Sequence, residues 1–128
     1  HAVNSKLEKI MERRKFLLAS IGSAFAALLA PALAVAASGD IAQAIDEIQK
    51  AIPYGVEPAH SSSFVQHVDN AIDHAVTAQK AQANPHVKKA IGYLRRARKI
   101  AYGTHLLRYS RRGAALAKRA LTELQAAQ

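Results

Sequence analysis

From Asp40 onward, apolar residues recur three and four positions apart, the spacing that gathers them on one face of an α-helix. Ile41, Ala44, Ile45, Ile48 and Ile52 make the first stripe, with Asp46, Glu47 and Lys50 off it. Ser38-Gly39-Asp40 can cap this helix at its start, and Pro53-Tyr54-Gly55 stops it with turn chemistry. A loop through Pro58 and His60 leads to Ser61-Ser62-Ser63, which offers the next cap. The second predicted helix runs from about Ser63 to Gln82, with Phe64, Val65, Val68, Ala71, Ile72, Ala75 and Val76 inward. Asn84-Pro85 is a cap followed by proline at the first helical position, a strong start signal. The third helix turns Val87, Ala90, Ile91, Leu94, Ala97 and Ala101 inward, and Tyr102-Gly103-Thr104 reads as helix end, left-handed glycine and new cap. The last stripe is Leu106, Leu107, Ala114, Ala117, Ala120, Leu121 and Leu124, with Gly113 in mid-helix marking a bend or a close approach. No segment alternates like a strand. Four amphipathic helices with short connections predict an all-α fold, an antiparallel four-helix bundle over residues 38–128.

The helices also repeat. HVDNAIDHA begins at His67, HVKKAIGYL nineteen residues later at His86, and HLLRYSRRG nineteen later again at His105. Ala71-Ile72 is matched by Ala90-Ile91, whereas His74 corresponds to Tyr93 and then Arg112. One amphipathic unit is used repeatedly, with histidine thinning out toward the C-terminus.

The first 37 residues differ in kind. From Met11 a cationic start (Arg13, Arg14, Lys15) leads into an apolar run from Phe16 to Ala30, then Pro31 and small residues. That is the layout of an export signal, and Arg13-Arg14 with Lys15-Phe16-Leu17 resembles a twin-arginine signal. Cleavage after Ala36 or Ala37 is expected, with residues 1–10 upstream of the true start at Met11 and a periplasmic product. The alternative is an uncleaved anchor facing the periplasm, since Phe16 to Ala37 is long enough to cross a bilayer of about 30 Å.

Composition narrows the chemistry. Alanine dominates the apolar half, aromatics are few, and there is no Trp and no Cys. Thiolate metal sites, disulfides and cysteine nucleophiles are thereby excluded. The chain has no HExxH, no glycine-rich phosphate loop, no Ser/His/acid arrangement in a strand–turn context, and too few glutamates for a di-iron bundle, so an enzyme is not expected.

Histidine is what remains, and neutral imidazole is a common ligand for copper, nickel and zinc. His60, His67 and His74 are spaced by seven. Two helical turns separate such residues by about 10.5 Å, too far for bonds of about 2 Å to one shared ion. A site must therefore draw on several helices. Asp69 and Asp73, four apart, can each lend an oxygen to sites centred on His67 and His74. In an up-and-down bundle His67 and His105 share one end and can meet, while His86 lies at the other.

Charge is divided between the halves. Residues 38–85 hold two lysines and six acids, a balance of −4, whereas 86–128 hold eleven Lys or Arg and one acid, a balance of +10. Arg95, Arg96, Arg98, Lys99, Arg108, Arg111 and Arg112 mostly lie off the apolar stripes. They form either a solvated face or a docking surface for something anionic: an acidic protein partner or a membrane complex. Nucleic acid is not expected as a partner, because export separates the two and stacking aromatics are few.

HVDNAIDHA, followed by NPHVKKAIGYL and GTHLLRYSRRGAALAKRALTEL, resembles the small metal-binding protein family over about Phe64 to Leu124. Those are small exported bacterial helical bundles built from a repeated His-Val-x-x-Ala-x-x-His-Ala unit. The resemblance implies binding of divalent metal ions, copper above all, for buffering or delivery. Carried over by position, it places His67, His74, His86 and His105 on the repeat histidines.

Overall fold

The structure, a computed structural model, describes residues 31–57 and 60–128. Residues 1–30, which hold most of the expected export signal, lie outside the described residues. The chain divides into two compact units at Leu33–Ala34, and the second, Ala34–Gln128, is the bundle.

Four helices are described: α1 (31–56), α2 (Ser61–Ala81), α3 (Pro85–Ala101) and α4 (Leu107–Ala126), with no strand among the described residues. The expected four-helix bundle is the fold. Helices α2 and α3 pack side by side, as do α3 and α4, while α2 and α4 barely touch across the diagonal. The stripes read from the sequence are the core. Ile41, Ala44 and Ile48, Phe64, Val65 and Val68, all six inward positions predicted for α3, and Ala114, Ala117, Ala120 and Leu124 are buried. Phe64, Ile48, Leu94 and Leu124 are the largest fully buried side chains, and alanine fills most of the remaining space.

Phe64 is where three helices converge. A Cβ placed on Gly55 of α1 would lie 2.8 Å from Ala114 Cβ of α4 and 3.0 Å from Phe64 Cδ2. A Cβ placed on Gly113 of α4 would lie 3.0 Å from Phe64 Cε1 and 3.2 Å from the Ala97 carbonyl of α3. The mid-helix glycine thus marks a close approach.

The structure corrects several helix ends. Ser38-Gly39-Asp40 is no cap, because α1 is already helical from residue 31. Pro53 does not stop α1, which runs on to 56. Proline removes one donor and crowds the preceding turn, but Pro53 is exposed, so the freed carbonyl can be solvated, while Gly55 beyond it is needed against Phe64. Tertiary packing overrides the local signal. The serines do not cap α2 with their side chains. Its N-cap is His60, and Ser61 Oγ donates instead to the Thr104 carbonyl at 2.8 Å, tying the start of α2 to the α3–α4 loop. Asn84 caps α3 as expected, its side chain accepting from the amides of His86 and Val87. Gly103 has φ +69, as expected, but Thr104 does not begin α4. Its hydroxyl accepts from the Leu106 amide at 3.1 Å and shapes the loop, and α4 begins at Leu107. Leu106, expected inward, is 50 % exposed. No helix among the described residues is long and apolar enough to cross a membrane.

Candidate functional site

Three histidines make the same contact with a carboxylate on a neighbouring helix. The distances are 2.8 Å from His67 Nδ1 to Glu47 Oε2, 3.3 Å from His74 Nδ1 to Asp40 Oδ1, and 2.8 Å from His86 Nδ1 to Glu123 Oε2. The first two pairs join α2 to α1, and the third joins the start of α3 to the last turns of α4.

The chemistry of the acceptor determines the tautomer. An ionised carboxylate has no proton to give, so the ring nitrogen facing it must carry the hydrogen, and Nδ1–H donates. A neutral imidazole in that state keeps its lone pair on Nε2, the atom turned away from the carboxylate. Metal-binding histidines are commonly held this way, because the carboxylate orients the ring and raises its basicity. Glu47 has a second donor, Asn70 Nδ2, at 3.4 Å. The hydrogen bond from His67 above all, with Asn70 adding to it, holds the Glu47 carboxyl below its ordinary range against the opposing pull of partial burial. The His67, His74 and His86 side chains keep 25 %, 34 % and 45 % of their surface in solvent, so an ion can reach the rings without opening the core.

One register produces the α1–α2 contacts. Asp40, Glu47 and Tyr54 are seven apart on α1, and His74, His67 and His60 are seven apart along α2 and its N-cap. Antiparallel packing sets Asp40 beside His74, Glu47 beside His67, and Tyr54 beside His60. The Tyr54 ring lies parallel to that of His67, 7° between planes with centroids 5.7 Å apart, and tilted against that of His60 at 5.8 Å. His60 Nε2 also stands 3.7 Å from Glu57 Oε2.

The other residues expected at the site are spread out. Asp69 is taken by Arg98, whose Nε–H donates to Asp69 Oδ1 at 2.6 Å. Asp73 is exposed on α2. Ser61 and Thr104 confirm that the starts of α2 and α4 share an end, but His67 turns toward α1. His105 lies in the α3–α4 loop, lining a cleft of about 670 Å³ with Asp69 and Asn70. Among the described residues no three of His, Asp and Glu converge on a point that would hold a metal ion. Of the expected docking residues, Arg95, Arg96, Lys99, Arg108, Arg111 and Arg112 are exposed, while Arg98 is engaged by Asp69 and lies 5.0 Å from the centroid of the Tyr102 ring.

A family model described as small metal-binding protein matches residues 15–127. The chain belongs to that family. No curated protein and no solved structure matches it. Small metal-binding proteins are not a known enzyme family, and membership supports a metal-binding role. The histidine–carboxylate pairs suit that role, since each presents one oriented nitrogen donor. Glu47, Asp40 and Glu123 were not singled out from the sequence. The available signal was that Asp40 and Glu47 repeat at the same interval as the histidines.

Proposed function

We propose that this small metal-binding protein takes up a divalent ion, copper foremost, through Nε2 of His67 and His74, with His86 as a separate point of binding. The observation that carries the reading is the recurrence of one contact, Nδ1–H to a carboxylate, at all three histidines. Two turns of helix keep His67 and His74 from sharing an ion, so each ring binds with solvent or loose neighbours completing the set. Such sites are open and weak, which suits buffering or delivery better than permanent retention. Only the neutral ring binds, so affinity falls in acid. Calorimetric titration with copper at pH 7.5 tests this. The His67→Ala, His74→Ala variant should lose most binding, and Glu47→Gln should weaken the His67 site by about 10-fold or more. Wild-type binding in the double variant sinks the assignment.

The reading includes export, supported by the cationic, apolar and small-residue layout of residues 11–37. Cleavage after Ala36 or Ala37 would trim α1 yet leave Ile41, Ala44 and Ile48 in place. Intact mass of the exported product should correspond to a start at Ala37 or Ser38. A mass that includes Met11 to Ala36 would favour the anchor.

A further inference from the structure

We propose that the α3–α4 end of the bundle is a docking surface for a bilayer of anionic phospholipid. Tyr102 and Leu106 enter the interface there, and the flanking arginines and lysines meet headgroup phosphates.

The first observation is charge without compensation. No Asp or Glu occurs from His86 to Thr122, a stretch that carries eleven Lys or Arg. Lys99, Arg108, Arg111 and Arg112 are exposed, and among the described residues none of them forms an ion pair. The basic surface continues along the α3–α4 seam, where Arg96, Arg112 and Arg119 rim a cleft of about 190 Å³ over Ile100 and Leu116.

The second is the placement of that charge on the helices. Arg98 and Lys99 end α3, where cations complement the helix dipole. Arg108 lies in the first turn of α4 and Arg111 just beyond it, and that turn holds no acid. Cations at a helix start oppose the dipole. Arg108 meets only the neighbouring Tyr109, donating to its hydroxyl at 3.2 Å and lying 4.8 Å from its ring centroid, and among the described residues no carboxylate answers either charge.

The third is the exposure of two large apolar side chains in the loop between these charges. Tyr102 is 65 % exposed and Leu106 50 %. Arg98 packs on one face of the Tyr102 ring, but the loop backbone is held by other groups. Gly103 turns it at φ +69, Ser61 anchors the Thr104 carbonyl, and Thr104 accepts from the Leu106 amide.

A protein partner requires about 800 Å² of matched surface on each side, and two apolar side chains fall well short of that. A bilayer interface accepts single tyrosines and leucines, and each nearby Lys or Arg strengthens attachment to anionic lipid. The inference is independent of metal binding.

The test is co-sedimentation of the full chain with phosphatidylglycerol-containing and with pure phosphatidylcholine vesicles, in EDTA to exclude metal bridges. The quantity read is the extra binding to the anionic vesicles, compared between wild type and variants in a set in which all chains carry Arg13→Gln, Arg14→Gln, Lys15→Gln, so that the leader's own charge enters neither side. It should be lost at high salt and fall about 25-fold in Arg108→Gln, Arg111→Gln, at about fivefold per charge. That variant gives up the exposed Arg108–Tyr109 contact but relieves the dipole clash, so its helicity by circular dichroism should equal that of wild type, and that measurement separates lost docking from misfolding. Tyr102→Ala, Leu106→Ala should also reduce it. Unchanged binding in both variants overturns the proposal. So does full displacement by millimolar glycerol phosphate, or equal binding to duplex DNA or polyglutamate with the same residue dependence.

Discussion

At Glu47 the place of a single proton sets which nitrogen of His67 keeps its lone pair. The carboxylate keeps hydrogen on His67 Nδ1 and so leaves Nε2 free. Its pKa is held below the ordinary value of 4.5, chiefly by the His67 hydrogen bond. A carboxyl with a depressed folded-state pKa stabilises the fold fully above its unfolded value and loses that contribution as pH falls through the folded one. We therefore expect the wild type to lose more stability than Glu47→Gln as pH falls from about 4.5. Urea unfolding across that range checks it, and parallel profiles would refute the pairing. The histidines were legible in the sequence because they recur at fixed intervals. Their partners were not, because Glu47, Asp40 and Glu123 approach only after helices pack. Asp69 shows the reverse: its spacing made it a candidate ligand, and Arg98 on another helix engages it.

Among the helices, α3 was legible almost in full. Asn84, Pro85 and the six-residue stripe are local signals that tertiary structure leaves unopposed. α1 was misread at both ends, since its limits are set by neighbours, not by Ser38 or Pro53. The glycines divide the same way. Gly92 is exposed on α3 with nothing within 4 Å of a built Cβ, so Gly92→Ala should stabilise by about 0.5–1 kcal/mol through helix propensity. Gly113→Ala would press on Phe64 and on a backbone carbonyl that cannot move freely. Overpacking of this kind costs about 1–3 kcal/mol. Thermal unfolding of the two variants should shift in opposite directions, and a shared direction would mean that the close approach at Phe64 is misjudged.

At the scale of the whole molecule, metal uptake and stability are linked. An ion that binds only the folded chain stabilises it by about 2.7 kcal/mol at a hundredfold excess over Kd. Copper should raise the melting temperature more than nickel, and nickel more than cobalt, following the general order of divalent affinities. A variant with His67, His74 and His86 all changed to Ala should show no copper shift. An undiminished shift would move the binding elsewhere, with His105 the next histidine to examine. The bundle and its charge division were readable from periodicity and composition, whereas the pairing of each of three histidines with a carboxylate of its own required the packed helices.

The even spacing of the α1–α2 contacts has a consequence for how the chain finds its pairing. Because both rows advance by seven, sliding α2 two turns along α1 would set His67 opposite Asp40 and His60 opposite Glu47. That displaced arrangement keeps two hydrogen-bonded rungs, so imidazole–carboxylate matching alone discriminates poorly between the two alignments. The bulk of Phe64 supplies the asymmetry. It fits where Gly55 and Gly113 leave room, and after such a slide it would face other, larger residues of α1. Phe64 acts as an indexing pin in an otherwise periodic seam. Phe64→Ala should therefore produce more than a cavity: doubled amide resonances along α1 and α2, the mark of two coexisting alignments.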